Sequence, residues 1–134
     1  MIVSLILAAA LSTTPVTPVV TDDLERQDNY ESMLSCAAFH TIEATRTEGS
    51  AAEAQQAVAY DFAETAVGFA PNGTVETANA DLEKLLGVFR EELDTKDVRV
   101  IAEDWTALES ACRSLYAVKD DLVRGVGVAA EEAR

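Results

Sequence analysis

Histidine and tryptophan occur once each in these 134 residues, cysteine twice and proline three times, and each scarcity removes a class of chemistry. A single imidazole, His40, excludes the paired Glu-x-x-His units of a carboxylate-bridged di-iron bundle and any zinc site of the usual Cys and His spacing. No C-x-x-C-H is present for haem attachment. His40 and Met33, on one helical pattern, cannot reach opposite faces of one iron. The closest glycines, Gly125-Val126-Gly127, follow a helical pattern and lack the strand before and helix after that a phosphate loop needs, and no acidic run has calcium-loop spacing. No cofactor and no metal is expected. Basic residues are also few, with ten Lys and Arg against 24 Asp and Glu, a formal charge of −14, and every charged side chain at or beyond Asp22. Affinity for phosphate backbones and anionic headgroups comes from clustered Lys and Arg, so no nucleic-acid partner is expected. The acidic face reads first as one that keeps the protein soluble; a basic or apolar protein surface is the partner class it suits, with a cationic small molecule or loosely held divalent cations as alternatives, and partner identity and oligomeric state are open.

What is present suits one globular domain, since 49% of residues are hydrophobic and 25% charged. Met1 to Leu11 is almost unbroken aliphatic, far short of the roughly 20 residues of a membrane-spanning helix but of the length of a secretory h-region, so no stable membrane span is expected. Ala8-Ala9-Ala10 and Ala10-Leu11-Ser12 both offer a small-x-small cleavage pattern, Ser12 being preferred. The expected division is a signal peptide over 1–12, a Thr/Pro/Val-rich linker over 13–21, a helical domain over 22–124 and a short tail over 125–134. The departure from a standard signal is that no Lys or Arg precedes the apolar run; a buried strand or a weak anchor are the alternatives.

The remaining chain repeats apolar residues at helical spacing. Val98, Ile101, Trp105, Leu108, Cys112, Leu115 and Leu122 form one stripe, with Thr95 or Asp94 to cap it. Val75, Ala78, Leu82, Leu85, Leu86, Phe89 and Leu93 form another, with Thr74 as N-cap after the break at Pro71-Asn72-Gly73. The two phases slip near Asp94 to Asp97, which predicts a tight turn, a bent continuous helix being the alternative. Ser50 and Glu53 have capping-box spacing ahead of Ala54, Ala57, Val58, Phe62, Ala66 and Phe69. The first helix is expected to open at Thr21 or Asp22 and end near Gly49, with Tyr30, Met33, Leu34, Ala37, Ala38 and Ile42 inward and a polar first third. Gly125-Val126-Gly127 is expected to end the last helix.

Four helices joined by short connections predict an all-α, antiparallel up-down-up-down bundle with Phe62, Leu82, Phe89, Trp105, Leu108 and Leu115 as core anchors. Cys36 and Cys112 lie near the middles of the first and last helices, at similar height in that arrangement, so a disulfide is expected between them. Closing about 75 residues stabilises by about 4 to 5 kcal/mol in the chain-entropy picture. The rival reading is two buried free thiols in a reducing compartment.

Two arrangements carry nominal chemistry. Cys36 and His40, four residues apart, have thiolate–imidazole spacing, but a bridged Cys36 is no nucleophile and no orienting group is evident. Adjacent carboxylates such as Glu91-Glu92 and Asp120-Asp121 point about 100° apart on a helix and read as solvated faces. No catalytic residue is therefore assigned. The string Thr65-Ala66-Val67-Gly68-Phe69-Ala70, with export, helices and one disulfide, resembles small periplasmic acid-stress chaperones over those few residues. The cysteines here are much farther apart and the helical pattern longer, so no site residue is carried over. The expectation is an exported periplasmic or secreted, acidic, non-enzymatic binding or structural module. An acid-responsive periplasmic chaperone is the alternative, and an enzyme ranks last.

Overall fold

In a computed structural model the described residues are 23–70 and 74–132, with side chains described for 25–70 and 74–125. The expected signal peptide (1–12), the linker (13–21), the first-helix caps at Thr21 or Asp22 and the Pro71-Asn72-Gly73 break lie outside them. Four helices make up the described residues, α1 (Asp23–Thr45), α2 (Gly49–Phe69), α3 (Val75–Thr95) and α4 (Val98–Glu132), and no strand occurs among those residues. Cys36 of α1 and Cys112 of α4 are joined by a disulfide across a Cα separation of 5.5 Å.

α1 packs against all three other helices, most extensively against α2. A helix enclosed on several sides buries residues around its whole circumference, and so Asn29, Tyr30 and every residue from Ser32 to Phe39 are buried. Its buried serines are satisfied within the helix, Ser32 donating to the Asp28 carbonyl and Ser35 to that of Glu31, both at 2.8 Å. The polar first third of α1 is likewise held. Arg26 donates to the carbonyls of Phe69 at 3.2 Å and Ala70 at 3.5 Å, groups that the end of α2 leaves without helical partners.

Of the helix ends, Thr74 caps α3, its hydroxyl accepting from the Thr77 amide at 3.3 Å. The slip near Asp94 to Asp97 is a turn, with Lys96 and Asp97 between α3 and α4. The cap of α4 is Asp97 rather than Thr95 or Asp94: its carboxylate accepts from the Arg99 amide at 2.8 Å, while Thr95 donates to the Glu91 carbonyl. The expected Ser50–Glu53 capping box does not form. Gly49 takes a left-handed φ of 62° and opens α2 two residues before a Ser50 cap would, leaving Glu48 at the N-cap with no side-chain bond. Nor do the glycines end α4, which runs through Gly125 and Gly127 to Glu132, so 125–132 is helix rather than tail. A helical glycine is unfavourable by only about 1 kcal/mol, and the good helix formers Ala129, Ala130, Glu131 and Glu132 follow with no proline to stop them.

Candidate functional site

Of the core anchors, Phe62, Phe89, Leu108 and Leu115 are buried, whereas Leu82 and Trp105 are half-buried and pack against the core from its edge. Trp105 lies against Phe39 and Phe89 and donates its indole N–H to Glu43 Oε1 at 2.6 Å, joining α4 to α1. His40 stacks on Phe62, meets Phe39 edge to face, and has its Nδ1 2.5 Å from Gln55 Oε1. With Cys36 in the disulfide and His40 tied to Gln55, the thiolate–imidazole pair does not assemble.

Four positions on the expected apolar stripes are exposed, Ala54, Ala57, Val75 and Val98, and Val75 and Val98 are the large ones. Val75 and Val98 each stand in the first turn of their helices. Ala54 and Ala57 are exposed in the first half of α2 although α1 reaches that stretch, where Gln55 meets His40 and Val58 packs against the core. The converse surprise is Lys119, buried at 7% exposure in the stripe position between Leu115 and Leu122. Its ammonium donates to Thr65 Oγ1 at 3.2 Å and Asp120 Oδ1 at 2.9 Å and stands 5.2 Å from the centre of the Tyr116 ring. Beside it Tyr116 donates to Asp61 Oδ2 at 2.7 Å; that bond first, then burial and the nearby acidic charges, raises the Tyr116 phenol above its ordinary range. On the other side of α1, Tyr30 donates to Asp81 Oδ2 at 2.6 Å, and burial, the bond and the Asp81 charge together push the Tyr30 phenol far up.

The candidate site is a groove of about 600 Å³ walled by α1, α2 and α3. Ala44 of α1 and Ala59 and Ala63 of α2 make it deep, because three methyl side chains stand where larger ones would fill the space. Val67, Val75 and Leu82 supply apolar walls, and Tyr60 stands at the lip. Tyr60 is 65% exposed and Val75 57%, so two of the most exposed large apolar side chains lie on one depression. Polar atoms come from Thr41, Thr45, Gln56, Asn79 and Glu64. On α3, Glu76 and Glu83 are three and four residues from Asn79; on α2, Glu53 is three residues before Gln56. Helical spacing therefore puts these exposed carboxylates along the same faces as the groove. None of Glu53, Glu64, Glu76 and Glu83 has an ion-pair partner among the described residues. α2 contains no Lys or Arg at all.

The groove is what reading the sequence missed. Its signal is present in retrospect: Tyr60 falls outside the buried stripe of α2 yet stands with Ala59 and Ala63, and alanine at such spacing marks close packing or an unfilled hollow alike. No His, Cys, Asp and Glu grouping suited to a metal ion occurs among the described residues, and none of their helices is long and apolar enough to cross a membrane. No protein-family model matches this chain, and no curated protein or solved structure does either.

Proposed function

We propose that the chain is an exported, periplasmic or secreted, non-enzymatic binding or structural module, a four-helix bundle whose helices alternate in direction. The observation that carries this reading is the open apolar groove between α1, α2 and α3, with Tyr60 and Val75 displayed on it. The disulfide supports an oxidising compartment. Alternating direction is supported by residue pairs. Early α1 meets late α2 at Arg26 and Phe69, late α1 meets early α2 at His40 and Gln55, and Cys36 and Glu43 of α1 face Cys112 and Trp105 of α4 in reverse order. The only imidazole is tied to Gln55 and both cysteine sulfurs are in the bridge, which favours binding over catalysis.

Two measurements test the reading. The intact mass of the protein from its native host is expected to show a processed N-terminus and to rise by two protons on reduction; a full-length chain with free thiols refutes export. A photo-crosslinking side chain at position 60, and another at Ser114 on the exposed face of α4, is expected to give a discrete protein adduct from at least one position at neutral pH. Absence of any adduct from either refutes a binding role.

An acid-responsive chaperone is the second reading, and one observation favours it. Three bonds between helices, Tyr30–Asp81, Tyr116–Asp61 and Trp105–Glu43, all place an aromatic donor on a carboxylate. A hydrogen bond to an ionised acceptor is stronger than one to a neutral acceptor, so three of the ties between helices depend on carboxylate charge. Full protonation also turns the charge from −14 to about +11, adding self-repulsion. Suppression of client aggregation at about pH 2 to 3 but not at neutrality is the expected result, and inactivity in acid removes this reading.

A further inference from the structure

We infer that the groove between α1, α2 and α3 receives a basic amphipathic helix of a partner protein. The inference deepens the binding reading above and rests on it. Along α2 the groove extends from Gln56 to Val67, about three helical turns or 16 Å. It is an open trough, so a small molecule lying in it would keep one side in water. A helix laid along it instead buries one stripe and presents its flanks to both lips. The floor is apolar; Glu64 of α2 lines the groove, and helical spacing sets Glu53 of α2 and the exposed Glu76 and Glu83 of α3 beside it. Of the two cations of α3, Lys84 falls about 200° around the helix from Leu82, away from the groove, and Arg90 stands about two turns beyond Leu82. Arg46 is engaged with Glu43, and Arg26 is held at the far end of α1 by the Phe69 and Ala70 carbonyls.

This charge pattern decides among occupants. A second copy of the chain would bring a formal charge of −14 against another −14, and its own helices would set carboxylate against carboxylate. A ligand with one apolar stripe flanked by Lys or Arg on both sides satisfies the floor and both lips together. The expected recognition element is therefore two or three aliphatic or aromatic side chains at i, i+3 or i+4, and i+7. They pack between Tyr60 and Val75, with basic residues on either side meeting the four glutamates.

The test uses the disulfide-bonded protein and a fluorescein-labelled helical peptide with leucines at that spacing and lysines on both flanks. A scrambled peptide of identical composition and charge is the control, with binding read by anisotropy. The patterned peptide is expected to bind about tenfold or more tightly than the scrambled one. Pairing Glu64→Lys with Glu83→Lys is expected to weaken it about tenfold, and Tyr60→Ser with Val75→Ser to do likewise at unchanged circular dichroism. Equal binding of the two peptides, or indifference to both pairs of substitutions, overturns the groove assignment. The photo-crosslinking result separates this failure from that of the broader reading. A partner adduct at Ser114 with none at position 60 leaves a binding module whose site is elsewhere, whereas no adduct at either position removes both.

Discussion

Two glycines show how neighbours a few ångströms away set the sign of a substitution. Gly87, in the interior of α3, has open space where a β-carbon would stand. Gly87→Ala is therefore expected to raise stability by about 0.5 to 1 kcal/mol, through helix propensity and a less flexible unfolded chain. Gly68, in α2, lies so close to Val123 of α4 that an added β-carbon would collide with a γ-methyl group. Valine is stiff about χ1, so that methyl does not swing away cheaply, and Gly68→Ala is expected to destabilise by about 1 to 3 kcal/mol. Urea denaturation of both variants checks the pair. Tyr30 offers a prediction in pH. Its phenol titrates at an ordinary value of 10.0 when unfolded and higher when folded, so the unfolded chain loses the proton first. The associated stability is whole below pH 10.0 and is lost as pH rises above it toward the folded value. The urea midpoint is expected to fall on going from about pH 9 to 11, and Tyr30→Phe to reduce that fall.

Among the helices, α1 has a different standing from the rest. Its run from Ser32 to Phe39 is buried, and the helix is linked to α2 by His40–Gln55, to α3 by Tyr30–Asp81 and to α4 by the disulfide and Glu43–Trp105. Opening it requires undoing all three interfaces, so its amides are expected to exchange with solvent slowest, at the rate of global unfolding. Those of α3, with a more exposed surface, are expected to exchange faster; equal protection would contradict this ordering of the elements. The bridge between α1 and α4 spans 76 positions of sequence. Replacing both cysteines by alanine is expected to lower stability by up to about 4 to 5 kcal/mol, measurable as a large drop in urea midpoint.

At the scale of the molecule, a formal charge of −14 works against compactness, because among the described residues few of the carboxylates have a cationic neighbour. Added salt shortens the reach of that repulsion. Raising sodium chloride from about 0.01 to 0.15 M at pH 7 is therefore expected to raise Tm by a few degrees, and calorimetry at the two concentrations checks it. The same excess charge discourages self-association through the groove and favours a cationic occupant.

Residue order alone determined that the described chain is helical, because stripes such as Leu108, Cys112 and Leu115 recur at the period of a helix whatever they pack against. It likewise located the Thr74 cap and the turn before Val98, both consequences of bonds within a few residues. Tertiary structure decided how many neighbours cover each face. Periodicity says which side chains share a side of a helix, not whether another helix covers them, and so Val75 and Val98 are exposed although they continue apolar stripes. Lys119 interrupts a stripe in the sequence yet is buried, since Thr65, Asp120 and the Tyr116 ring converge on its ammonium from separate positions. The groove has the same origin. Three alanines from two helices leave a hollow only because α1, α2 and α3 meet around them, a relation among helices that no local pattern of residues contains.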